Sequence, residues 1–402
     1  MNIKQQIKKQ LHFFFTKLYR KQTDKKQIIL LVQAQTMEYH IQRWIEATKE
    51  IDDIELYISC SYPGYSYRKN WLKAKELARK WNQYRKLVPF SQYYWLNKWN
   101  LIVSADYQAG IQGVSSPFLF INHGLHMISY DGGNSTYTYG KAAFYENSGV
   151  PIATKILESN SYISGQMHSK ETWKEIVEFV GSKDSDRLEE EQKRREEYRK
   201  KIGIHPNERF IVVFGSWDKD SLFHYLGNSL ITELSHMLTS NYKVALSIHP
   251  LEYLEDSAYQ SKVQDCTQKP LGKYVDNLSQ KGFIIRKPKE DYVPYLIASD
   301  LVISDYSSLA ELAVLARKKL MLSYFPIEKV WKTSMIARIR KNVPIIYQDS
   351  PVEKMINNYL SSDMVLAMQE KFRQEIYVKK NVYNERVKRI TRELLETSYE
   401  EK

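Results

Sequence analysis

Cysteine is almost missing from this 402-residue chain: Cys60 and Cys266 lie far apart and show no metal-ligand spacing. They read as packing residues of a protein kept in a reducing compartment. No apolar run approaches the roughly 18 residues that a spanning helix needs, and no leader of the basic, apolar, small-residue pattern is visible, so a cytoplasmic location is expected. A Walker loop, a glycine-rich dinucleotide fingerprint, an HExxH helix and a paired-cysteine knuckle are all lacking. P-loop NTPases, NAD enzymes and zinc hydrolases are therefore left without their chemistry. Internal repeats, low-complexity segments and proline-rich linkers are absent too. No carboxylate cluster suggests a magnesium site, so no metal and no cofactor are expected.

What is present is length and positive charge. With 43% apolar residues the chain can fill two cores of ordinary domain size. A formal charge of +12 points to acidic partners: a membrane surface, a phosphate-rich substrate or nucleic acid. The basic residues are spread over helices without an RNA- or DNA-binding module, so nucleic acid is not expected. In residues 1–26, Ile3, Ile7, Leu11, Phe14, Phe15 and Leu18 recur at helical spacing among Lys4, Lys8, Lys9, Lys17, Arg20, Lys21, Lys25 and Lys26. This reads as an amphipathic helix whose residues 1–22 lie on an anionic bilayer, or else as a helix packed on its own domain. Phe13 to Phe15 beside so many lysines favour the bilayer.

From residue 27 strands and helices alternate. Strands are expected at 27–33, 54–58, 101–104, 117–121, 161–164, 210–214, 243–248, 282–286, 301–303 and 320–324. Helices are expected at 36–50, 69–87, 168–180, 226–239, 291–298 and 308–316, with a mostly helical stretch at 365–397. Such alternation predicts parallel sheets covered by helices. Residues 184–201, nearly all charged with opposite signs at helical spacing, read as a solvated helix linking two halves. The expected plan is a membrane-surface helix (1–26), an N-terminal Rossmann-like acceptor domain (27–203), a C-terminal Rossmann-like nucleotide-donor domain (204–364) and a helical tail (365–402). The fold class is α/β, GT-B-like, with the site expected in the cleft between the two domains.

The chain is organised around residues 291–324, a βαβ unit whose strand ends in Ser304-Asp305-Tyr306-Ser307-Ser308. Ligands of open parallel sheets bind beyond the carboxyl ends of strands, and two hydroxyls at a helix start suit an anion, so a phosphate is expected there. Two other strand ends carry chemistry: Asn122-His123-Gly124, where a glycine lets the backbone turn beside an imidazole, and His249-Pro250. A lone histidine is more often structural than functional, and on the residues alone that holds for His123. Asp305 can cap the helix or meet substrate, and Glu311 can reach a ribose or face solvent.

These three strand ends, in this order, resemble the CDP-glycerol glycerophosphotransferase family of teichoic-acid primases and polymerases, over about residues 100 to 390. Ser247, Gly215-Ser216-Trp217 and Glu385-Arg386 depart from the family pattern, which often has an arginine two residues before His-Pro, a Thr-Phe-Arg turn and an Asp-Gly-Lys-Ala-type run before Glu-Arg. The resemblance implies a GT-B fold, a CDP-linked donor, a lipid-linked or glycan acceptor, and peripheral attachment to the inner face of a bacterial membrane. It implies transfer of glycerol phosphate or a related polyol phosphate, with release of CMP. His123 would be the base, and His249, Pro250, Ser307, Ser308, Asp305, Gly124 and Glu311 would surround the donor. The rivals are a sugar transferase using CMP-sialic acid or another nucleotide sugar and a non-catalytic membrane-associated scaffold. Bacterial sialyltransferases share the His-Pro and Ser-Ser pairs but use an acidic base where this chain has Asn122-His123-Gly124.

Overall fold

The computed structural model describes residues 24–62, 65–81, 99–105, 116–122, 152–169, 171, 173–217, 219–238, 241–255, 269–327, 330, 334–362 and 364–400, together with Ile7 and Gln10. The expected membrane-surface helix, His123, Gly124 and Cys266 lie outside these residues, apart from Ile7, Gln10 and the segment 24–26. The chain forms two compact units, one of residues 1–124, 132–183 and 378–402, the other of residues 125–131 and 184–377.

The first unit is built on β1 (Lys26–Val32), β2 (Ile54–Cys60), β3 (Leu101–Ser104), β4 (Phe118–Ile121), β5 (Lys155–Glu158) and β6 (Val177–Phe179). They pair in parallel in the order β2-β1-β3-β4-β5-β6. β1 reads Lys-Gln-Ile-Ile-Leu-Leu-Val, and from Gln27 onward every residue is buried. A continuous apolar run of this kind belongs to a parallel strand covered on both faces. Residues 161–164 are helix rather than strand, and 177–179 of the expected helix 168–180 are strand. Asn160 is the reason: its Oδ1 accepts from the N–H groups of Tyr162 and Ile163 at 3.0 and 3.3 Å, an N-cap that starts the Ser161–His168 helix.

The second unit contains β7 (Arg209–Phe214), β8 (Tyr242–Ser247), β9 (Ile284–Ile285), β10 (Leu301–Ser304), β11 (Lys319–Ser323) and β12 (Ile345–Ile346), all parallel, in the order β12-β11-β10-β7-β8-β9. Counting from β7, this is the 3-2-1-4-5-6 winding of a dinucleotide-binding fold read from the other edge. The strand order reverses between β7 and β10, which places the crevice beyond their carboxyl ends.

The charged segment expected as a solvated link is instead clamped to the second unit. Arg199 is 4% exposed and donates to Asp300 Oδ2 at 3.2 Å and to the carbonyls of Ala298, His205 and Glu208. Arg195 donates to Asp300 Oδ1 at 2.7 Å, and Leu188 and Tyr198 enter the core. The division between units therefore falls at Lys183/Asp184 rather than near residue 203. The expected tail divides as well. The Met364–Ile376 helix packs in the second unit through Phe372 and Ile376, and Arg338 grips Glu375 at 2.7 and 2.8 Å. The Lys380–Glu400 helix joins the first unit, with Val387, Ile390 and Leu394 in its core and Thr391 accepting from Trp44 Nε1 at 3.2 Å. Among the described residues no helix is long and apolar enough to cross a membrane.

Candidate functional site

β10, β7 and β8 are neighbours, and the chemistry-bearing residues of the second unit follow their carboxyl ends. β7 ends in Gly215-Ser216-Trp217. A side chain at Gly215 would come within 2.4 Å of the Phe223 ring, so the turn needs glycine for close approach. Asp305, at the end of β10, is fully buried and knits the two loops together. Its Oδ2 accepts from Ser216 N–H and Ser216 hydroxyl (2.8 Å each) and from Leu222 N–H (3.0 Å); its Oδ1 accepts from Ser307 N–H (2.9 Å). Burial raises its pKa above the ordinary carboxylate value, and these four hydrogen bonds oppose the rise. Asp305 thus locks the switch-point loops, and its oxygens are turned to protein donors rather than to a nucleotide.

Ser307 precedes the Ser308–Leu315 helix in extended conformation but does not cap it with its hydroxyl. Ser304 Oγ donates its one proton to the Phe214 carbonyl at 2.9 Å, so in the 3.0 Å pair between Ser304 Oγ and Ser307 Oγ the donor is Ser307. The Ser307 proton is therefore engaged inward. Ser308 has no side-chain partner among the described residues and is half-exposed at the first helical position. Glu311, one turn on, is fully buried, which removes the solvent-facing alternative.

His249, after β8, is half-buried, with its ring 6.1 Å from that of Trp217. Its Nδ1 accepts from Leu251 N–H at 3.2 Å. Burial lowers its pKa to about 4, with the nearby Glu252 charge opposing and the Arg286 charge reinforcing the fall. At neutral pH the ring is uncharged, and because Nδ1 accepts, its proton sits on Nε2. Pro250 is exposed and opens the short 3-10 turn Pro250–Tyr253. Ser308 and His249 follow strands on opposite sides of β7, separated by two interstrand spacings, or about 10 Å.

Three buried groups here had no motif to announce them. His224 Nε2 pairs with both Glu252 oxygens at 3.1 and 3.2 Å. Arg286, after β9, donates from Nε to the Ser247 hydroxyl at 2.7 Å. Each brings together loops far apart in sequence, and lone histidines, glutamates and arginines carry no spacing signal.

In the first unit the described chain stops one residue short of His123. Asn122 N–H donates to the Leu157 carbonyl at 3.1 Å, and its amide donates to Glu158 Oε2 at 2.8 Å. Glu158 is 1% exposed and accepts from Asn160 N–H at 3.1 Å. The strand end that leads to His123 is thus anchored on a buried carboxylate. Among the described residues no group of three or more His, Cys, Asp or Glu is placed to hold a metal ion.

Two parallel, helix-covered sheets, the second wound as a nucleotide-binding domain, make this a GT-B fold. Solved structures that share it include the wall teichoic acid polymerase TagF, with TM-score 0.57 and 14% identity over 98% of this chain and 99% of that one. A TagF variant soaked with CDPG gives 0.58 and 13% over 99% of each chain. The UDP-GlcNAc 2-epimerase of Methanocaldococcus jannaschii, in complex with UDP-GlcNAc and UDP, gives 0.55 and 11% over 92% and 99%. No family model and no curated protein matches the sequence. At these identities the likeness is one of fold, and it includes a polymerase of the kind that the strand-end motifs resemble.

Proposed function

We propose that this chain is a transferase that moves glycerol phosphate, or a related polyol phosphate, from a CDP-linked donor to a hydroxyl of a membrane-associated or glycan acceptor, in bacterial teichoic-acid-like or capsular polymer synthesis. The observation that carries the reading is the uncharged His249, its Nε2–H available beside Trp217, two strands from Ser308 across the switch point of the second sheet. Neutral donors at strand ends suit the oxygens of a diphosphate. A wall teichoic acid polymerase of the same fold, soaked with CDPG, supports the donor class.

In this reading the acceptor hydroxyl attacks the distal phosphorus of the donor and His123 takes its proton. The bond from that phosphorus to the bridging oxygen breaks, and CMP departs with the electron pair. His249 Nε2–H, the Ser308 hydroxyl and the first turn of its helix meet the growing charge on the phosphate. Residues 1–22 hold the enzyme on the anionic inner face of the membrane. A nucleotide-sugar transferase with a carboxylate base is the second reading, favoured by the buried Glu158 one strand from β4.

A donor screen that reads the released nucleotide is the test. CMP released from CDP-glycerol in the presence of a hydroxyl acceptor is the expected result. Turnover of CMP-sialic acid or a UDP-sugar, with CDP-glycerol inert, overturns it.

A further inference from the structure

Arg286 is 7% exposed, and no carboxylate pairs with it among the described residues. A buried guanidinium that no carboxylate bonds directly is costly, and here desolvation outweighs the attraction of the nearby acidic charges. The charges of Glu290 and Asp291 favour the cation from a distance, but neither carboxylate bonds it: that of Glu290 accepts from Lys287 N–H and from the Tyr295 hydroxyl, each at 3.0 Å, and Glu290 gives Arg286 only its backbone carbonyl. Of the five N–H bonds, Nε is engaged by Ser247 Oγ at 2.7 Å, and Nη1 by the carbonyls of Lys287 (3.3 Å) and Glu290. Nη2 has no protein acceptor among the described residues.

The position is as telling as the valence. Arg286 N–H continues the β8–β9 ladder by donating to the Leu246 carbonyl at 3.0 Å. Its Nε fork is aimed by Ser247, two residues before His249, and residues two apart on an extended chain share a side. The Arg286 charge reaches His249 strongly enough to help keep that ring neutral. A site whose imidazole is uncharged must draw its positive charge from elsewhere if it is to hold a dianionic group.

We propose that Arg286 is the anion-binding cation of this strand-end site, its Nη2 edge taking a phosphate oxygen of the donor beside His249 Nε2–H. The proposal rests on the reading of the site as a nucleotide-diphosphate site but not on the identity of the base or of the transferred group. Ser247 is then a positioning residue, holding the guanidinium so that the unbonded edge faces outward.

Calorimetric titration of the full chain and of Arg286→Gln with CDP, UDP and inorganic pyrophosphate, alongside thermal melts, tests it. Expected is a loss of at least about tenfold in CDP affinity in a variant that still melts cooperatively, the span for one charge-assisted contact. Should Arg286→Gln not fold, Arg286→Lys decides, since an ammonium cannot fork between Ser247 and an anion; the same loss is expected. Equal CDP affinity in either folded variant overturns the inference and leaves the donor reading intact. Binding of UDP or pyrophosphate but not CDP, with the same dependence on Arg286, overturns the cytidine donor and supports the inference. Failure of the wild type to bind any of the three overturns both. If neither arginine variant folds, Ser247→Ala is expected to weaken CDP severalfold, and unchanged affinity there assigns Arg286 to structure alone.

Discussion

The carboxyl edges of the two sheets are finished differently. The first buries a carboxylate, Glu158, held by Asn122 and Asn160. The second buries carboxylates as well, Asp305 and Glu252, but adds a guanidinium, Arg286, and keeps a histidine neutral beside it. Among the described residues the donors of the first edge, Asn122 and Asn160, are turned onto Glu158, whereas the second presents the Ser308 hydroxyl and His249 Nε2–H with no protein acceptor. An acidic edge suits a group that handles hydroxyls and protons; a donor-rich edge suits phosphate. Two parallel sheets, wound 2-1-3-4-5-6 and 3-2-1-4-5-6, thus end in different side-chain chemistry because the loops after the strands, not the strands, set the charge.

The largest effect should come from the residue that locks the second edge. Asp305→Ala leaves three backbone N–H groups and the Ser216 hydroxyl without their acceptor, and a loss of about 3 to 6 kcal/mol in denaturant unfolding is expected. Glu158→Ala at the first edge should cost less; the reverse order would break the contrast drawn between the edges.

His123→Ala is expected to lower kcat about 100-fold while CMP still binds, whereas His249→Ala should weaken donor binding as well as rate. Steady-state kinetics with nucleotide titration separates the two. Near-normal turnover in a stable His123→Ala protein would move the search to Glu158.

The neutral His249 makes a pH prediction. Its folded pKa, about 4, lies below the ordinary 6.5, so between these values the unfolded chain binds more protons. Its contribution is present above about pH 6.5 and is lost as the pH falls to about 4, a change of up to about 3 kcal/mol. In His249→Asn the acid limb of stability against pH should be correspondingly flatter, and an unchanged limb would show that the ring is protonated in the fold.

The two serines should differ, because one proton is engaged and the other is not. Ser308→Ala is expected to weaken CDP binding by about 1 to 2 kcal/mol, and Ser307→Ala by less, by calorimetry. The smallest effect on catalysis should follow deletion of residues 1–22, which is expected to release the protein from anionic vesicles and leave turnover on a soluble acceptor nearly intact. Equal co-sedimentation of both forms at low and high salt would place the helix on its own domain.

The strands were legible wherever the apolar run was long. β1 and β7 are marked by uninterrupted apolar residues, Ile28 to Val32 and Phe210 to Phe214, because a parallel strand covered on both faces tolerates little else. Of the short edge strands, Ile284–Ile285 lies within the expected 282–286, but Ile345–Ile346 and Val177–Phe179 were not legible, since they form through pairing with a neighbour, which local pattern does not encode. The strand-end motifs His249-Pro250 and Ser307-Ser308 were visible because a turn and a helix start need particular residues next to one another. The role of Asp305 was not, since its partners Ser216 and Leu222 lie more than 80 positions away and only the closing of the sheet brings them to it. Arg286 and Glu158 were hidden for the same reason: a single charged residue reads as solvated surface until the fold withdraws water from it, and burial is a property of the assembled chain.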